Sequence, residues 1–171
     1  MKRHSWHNLS ILFLVLIAIT GCTVSYSLTQ KNISADVKTY AIYNFPNKAP
    51  SVNPRLSDYF VEQLRDKFTR QAGLNYTNEN GDLEFEGFIT GYDVQPMAIK
   101  ADDQASKNRL TIKISVKFTN NKNHEQDFET EFSAYAEYDS DQLLSDVEDT
   151  LNEEIVKQII EDIYNKSVAN W

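Results

Sequence analysis

A chain of 171 residues with 25 acidic side chains against 17 basic ones, a net charge of −8 at neutral pH, is poorly suited to nucleic acid, because such binding relies on neutralising phosphates with Lys and Arg. The same acidity disfavours loose electrostatic adhesion to anionic lipid. Cys22 is the only cysteine, so no disulfide within the chain can staple the fold and a hydrophobic core must hold it.

The chain opens with Lys2-Arg3-His4 and then "LSILFLVLIAITGC", Leu9 to Cys22. Leu9 to Ile19 is apolar apart from Ser10, and as a helix it reaches about 16 Å, against the roughly 30 Å of a bilayer core. Too short to span, it suits the h-region of a secretory signal peptide with the basic residues as its n-region. The run ends Ile19-Thr20-Gly21-Cys22, which resembles a bacterial lipobox. That resemblance implies a diacylglyceryl thioether on Cys22, cleavage before it, and acylation of the new amine by a chain such as palmitate. The alternative is a signal-region cysteine of no consequence. More than one acyl chain gives stable anchoring. The expected organisation is residues 1–21 as a lipoprotein signal peptide, 22–36 as a lipidated tether and 37–171 as a single domain. Losing Lys2 and Arg3 leaves 15 basic against 25 acidic residues, a net −10.

Val37 to Phe45, "VKTYAIYNF", is rich in β-branched and aromatic residues and predicts a strand. "PNKAPSVNP" holds three of the four prolines and reads as a rigid connector. It closes on Asn53-Pro54, an N-cap followed by proline at the first helical position. Leu56, Phe60, Leu64 and Phe68 then line one helical face, and Gly73 ends the helix in the left-handed conformation. Asn80-Gly81 signals a turn before a strand over 82–95, whose Gly87 and Gly91 predict a bulge or a close backbone approach. Arg109 to Thr119, "RLTIKISVKFT", alternates throughout, as in an antiparallel sheet covered on one side. "NNKNH" is a short hairpin connection, and the strand after it alternates Phe128, Thr130, Phe132, Ala134, Ala136 and Tyr138 with Glu129, Glu131, Ser133, Tyr135 and Glu137. Ser145 to Glu148 has a capping-box pattern. It opens a long amphipathic helix carrying Val147, Leu151, Ile155, Ile159 and Ile163 on one face. The fold class is α+β: two helices packed on one face of a four-stranded, mostly antiparallel (mixed) sheet, in the order β-α-β-β-β-α.

Catalytic and cofactor-binding residues are not expected, and the chain is not read as an enzyme. Beyond the signal region His124 is the only histidine, and it falls in a predicted turn. No ligand spacing suits a metal, no nucleophile elbow is present, and no glycine-rich loop is placed to cradle phosphate. The remaining candidate is basic. Arg109, Lys113 and Lys117 stand four residues apart on the polar face of their strand, with Lys100 and Lys107 in the adjoining loop, Pro96 to Asn108. One reading is a charge-paired, solvated sheet face between Glu84/Glu86 and Glu129/Glu131/Glu137, each pair contributing roughly 0.2–1 kcal/mol. The other is a seat for an anionic headgroup, acting within a Debye length of roughly 8–10 Å because the overall charge repels such a ligand. In the loop, Met97 and Ile99 either form an exposed apolar tip or extend the preceding strand.

"FPNKAPSVNPRLSDYFVEQLRDKF", "GDLEFEGFITGYDV", "NRLTIKISVKFTN" and "YDSDQLLSDVEDTLNEEIVKQIIEDIYNKSVANW" together resemble the lipopolysaccharide-assembly lipoprotein family LptE, in a branch distant from the enterobacterial form. The resemblance implies an outer-membrane lipoprotein facing the periplasm, anchored by its N-terminal lipid. Such a protein plugs the β-barrel LptD, helps it assemble and takes part in lipopolysaccharide transport, without a cofactor and without nucleic acid. It also implies two helices on a four-stranded sheet, in agreement with the element order. Thr23 after the lipidated cysteine, with no acidic run close behind, accords with retention on the periplasmic side. The alternative is a free-standing periplasmic lipoprotein that binds a lipid or hydrophobic ligand in an apolar cavity between helices and sheet.

Overall fold

The computed structural model describes residues 33–51, 53–97 and 106–169. The signal segment with Cys22, and Ile99 and Lys100 of the loop, lie outside the described residues. The strands are β1 Thr39–Ile42, β2 Asn75–Tyr76, β3 Leu83–Pro96, β4 Lys107–Asn120 and β5 Phe128–Asp139; the helices are α1 Leu56–Lys67 and α2 Leu144–Tyr164. They form one mixed sheet in the order β2-β1-β3-β4-β5. β1 runs parallel to β2 and β3, and β3, β4 and β5 make an antiparallel meander. Both helices are present on the expected segments, and the sheet has five strands where the periodicity predicts four. The fifth, β2, is two residues long, too short for any alternation to announce it.

Both helical stripes are spent on the sheet. Leu56, Phe60, Leu64 and Phe68 from the first helical segment, and Ile155, Ile159 and Ile163 from α2, are buried. They meet the inward row of β4, from Leu110 to Phe118, in a single core. Phe68 sits at its centre, with ring centroids 4.6 Å from Phe85, 5.4 Å from Tyr164 and 5.7 Å from Tyr40. Gly73 closes the first helical segment at φ 68°, where a Cβ would clash with the backbone. α2 continues into a wider turn over Asn165–Ala169.

Both helix starts differ from the expected caps. The Asn53 side chain accepts from Arg55 N–H at 2.9 Å and its carbonyl from Leu56 N–H at 3.3 Å, so Asn-Pro forms the turn that leads in, and the helix proper begins at Leu56. At α2 the cap position is Leu143, which has no side-chain cap bond, and Ser145 Oγ bonds Asp146 instead. A serine already inside the helix cannot reach the orphan N–H groups ahead of it. The proline-rich connector also does more than connect. Ile89 donates to Pro46 O at 3.1 Å and Lys48 to Ile89 O at 2.9 Å, so after Tyr43 the chain continues to pair with β3.

Both predicted glycine roles occur. The register of β3 on β4 shifts between Ile89 and Gly91, a bulge that moves the inward side chain from odd to even positions and turns Tyr92 into the core. At Gly87 the approach is close: a Cβ there would lie 2.0 Å from Ser115 O and 2.8 Å from the Phe45 ring. Asp82 joins the two halves of the sheet. Its Oδ2 accepts from Lys38 and Thr39 N–H at 2.8 and 2.9 Å, its Oδ1 lies 2.8 Å from Lys122 Nζ, and its carbonyl accepts from Asn121 N–H at 2.8 Å. Burial alone would raise its pKa, but Lys122 and the two N–H donors outweigh that and hold the carboxyl well below the usual range.

Candidate binding face of the sheet

The helices cover one face of the sheet and leave the other open. Because β4 is regular, its odd-numbered polar residues reach the open side: Arg109, Thr111, Lys113, Ser115, Lys117 and Thr119 alternate with the buried row. β3 adds Glu84 and Glu86 on one flank, and β5 adds Glu129, Glu131, Ser133, Tyr135 and Glu137 on the other.

Three of the predicted basic residues stand in line here. Lys117 Nζ lies 2.6 Å from Glu86 Oε1, a contact that raises the Lys117 pKa. Arg109 lies 2.6 Å from Glu137 Oε1, with its guanidinium 3.9 Å from the centroid of the Tyr135 ring. These two ends of the stripe realise the charge-paired reading. Lys113 differs. It stands opposite Gly91 and Ser133 in the register, and no ion pair reaches it among the described residues. A Cβ on Gly91 would come within 3.2 Å of the Lys113 stem and of Asp93 Oδ2, so the missing side chain there is what lets the lysine lie across β3. Lys107, expected in the loop, is the first residue of β4, exposed opposite Asp139 and in the same strand phase as Arg109. Met97 extends the β3–β4 pairing by one bond, its N–H donating to Lys107 O at 2.8 Å.

Sequence reasoning did not find the rest of this face. Phe88 lies under Lys48 Nζ at 4.0 Å from its centroid, beside a shallow cleft of about 360 Å³ lined by Tyr43, Phe88, Ser115, Lys117 and Glu129 among others. The signal was an aromatic in the polar phase of β3, in step with Glu84 and Glu86 ahead of the bulge. Thr90, the bulged residue, donates to Glu131 Oε2 at 2.8 Å, reaching over β4. On the covered side, Tyr92 donates to Glu148 Oε1 at 2.6 Å and lies 3.2 Å from Asn152 Oδ1. Burial, and then the Glu148 carboxylate, push the Tyr92 hydroxyl far above its ordinary pKa, so it stays a donor at every physiological pH.

His124 is exposed in a short turn, Nδ1 2.9 Å from Asp127 Oδ2. Among the described residues no group of three or more His, Cys, Asp or Glu converges as a metal site would require, and no helix is long and apolar enough to cross a membrane.

Among solved structures the fold is shared with the hypothetical protein CT253 from Chlamydia trachomatis, at 8% identity and a TM-score of 0.52, covering 78% of this chain and 99% of that one. A minor lipoprotein from Acinetobacter baumannii aligns at 12% identity and a TM-score of 0.49, over 76% and 91% of the two chains. The rare lipoprotein B from Shewanella oneidensis does so at 7% and 0.44, over 75% and 90%. No curated relative matches the sequence. The model of the LptE lipopolysaccharide-assembly family matches residues 37–167, from the approach to β1 to the end of α2 and just beyond, and the chain belongs to that family.

Proposed function

We propose that the chain is the lipid-anchored, non-enzymatic partner of an LptD-type β-barrel, held on the periplasmic side of the outer membrane through Cys22. There it plugs the barrel, helps it assemble and assists lipopolysaccharide transport. Family membership over residues 37–167 carries the reading. The physics of the open face supports it: a wide barrel has a polar, water-lined lumen, and a sheet that presents Lys, Glu, Ser, Thr and Tyr can line such a space without an apolar counterpart. The free-standing carrier of a hydrophobic ligand fits less well, because both helical stripes are consumed in sealing the core. Affinity purification of the full chain in mild detergent tests the proposal. Recovery of a large β-barrel in near-equal amount is expected, and recovery of the chain alone would reject it.

Within that function, the basic stripe is a seat for the anionic headgroup of lipopolysaccharide. Lys113 is its central contact, because Lys117 and Arg109 already have carboxylate partners. Lys107 and Lys100 would extend the seat toward the loop.

A further inference from the structure

The two edges of the sheet are built in opposite ways. At one edge β2 is two residues long and offers little backbone for pairing. At the other, β5 runs for twelve residues without a proline or a register shift against β4. The ladder shows which of its groups are vacant. Ser140 donates to Ser106 O at 3.0 Å, and from there the bonded pairs recur at every second residue, so the even-numbered residues of β5 exchange bonds with β4. Glu129, Glu131, Ser133, Tyr135 and Glu137 therefore turn N–H and C=O away from the sheet, toward a side where no described strand meets them. The inward side chains agree with a missing neighbour: Phe132 and Ala134 keep 7% and 8% exposure, while Ile112 and Ile114 beside them keep none.

Edges of this length are usually blunted by edge charge, above all lysine, or by proline, a bulge, inward-pointing charge or a covering element. β5 has no proline, bulge or inward charge, and its outward charges are all acidic. Glu137 is held by Arg109 and Glu131 by Thr90, while Glu129 has no ion pair among the described residues. This pattern selects its partner. Pairing with a second copy, centred on Ser133, would set Glu129 opposite Glu137 twice, and like charges directly opposite are destabilising. A strand with cations at alternate positions meets no such conflict.

We infer that β5 is a docking edge for an extended segment of a partner protein carrying Lys or Arg at alternate positions. The segment adds as a further strand, bonded to the odd-numbered backbone of β5 and with its cations beside Glu129 and Glu131. This inference stands independently of the barrel reading. Its test uses the full chain, isotope-labelled in mild detergent, titrated with a ten-residue peptide of alternating lysine and valine and with the same peptide carrying glutamate for lysine. Amide shifts and slowed hydrogen exchange should appear at residues 129, 131, 133, 135 and 137, with the glutamate peptide at least tenfold weaker. Ser133→Pro removes one outward N–H while sparing the β4 ladder and should abolish binding. The pair Glu129→Lys and Glu131→Lys leaves the backbone intact and should reverse the peptide preference. Absent binding, protection elsewhere on the chain, or binding indifferent to both sets of substitutions would overturn the inference. So would slowing of the same amides with protein concentration alone, which would make a second copy the occupant.

Discussion

The two faces of β4 come from one stretch of chain and obey different rules. Leu110, Ile112, Ile114, Val116 and Phe118 have no exposure at all, and each contacts groups that cannot move without disturbing others. Arg109, Lys113 and Lys117, one residue out of phase, sit on an open surface where a partner carboxylate is present or absent without consequence for the core. Stability therefore lies on the covered face, and the proposed recognition on the open one. A substitution that moves both at once would show that the division is drawn wrongly.

The largest effects should come from the covered face. Phe68→Ala removes a fully buried ring that touches three aromatic neighbours and should cost about 3–5 kcal/mol, read as a lowered urea midpoint. Asp82→Ala should cost about 2–3 kcal/mol, because it leaves backbone donors and a lysine without their acceptor. Its pH dependence has a definite sign. The folded-state pKa lies below the unfolded value of about 4, so the contribution is complete above that value and fades as the pH falls beneath it. Wild type should accordingly lose stability between about pH 5 and 2 more steeply than the variant. Gly87→Ala forces a methyl against Ser115 O and the Phe45 ring and should cost about 1–3 kcal/mol. The smallest structural effect belongs to the open face: Lys113→Ala and Lys117→Ala should leave the urea midpoint in place. Lipopolysaccharide affinity measured in vitro should nonetheless fall, more for Lys113→Ala. Unchanged affinity would reduce the stripe to a charge-paired surface.

The same contrast explains how much of the molecule was legible beforehand. β4 could be read residue by residue because its two sides meet different media, which is what alternation records. The helices were equally plain, since Leu56, Phe60, Leu64 and Phe68 repeat at the helical period. Legibility ended where geometry depended on distant pairing. The bulge at Ile89/Gly91 changes the phase of β3, so Tyr92, which looks outward by simple counting, is buried against Glu148 and Asn152. Asn75–Tyr76 and the Pro46–Lys48 segment pair with strands remote in sequence and carry no period of their own. Of the basic stripe, the alignment and the flanking glutamates were visible, but which glutamate meets which cation was not, because the Lys117–Glu86 and Arg109–Glu137 pairs required the cross-strand register. Lys113 stands out only once those pairs are known.

Crosslinking in cells from Thr111 and Ser115 on β4 decides whether the open face works against the wall or contents of a barrel. A photoreactive side chain at either position should give an adduct with one large β-barrel polypeptide or with lipopolysaccharide, while the same group at Glu154 on the outer side of α2 reports the opposite surface. Adducts from the β4 positions would uphold the account. Their absence, in a chain that is folded and at its normal level, would contradict it.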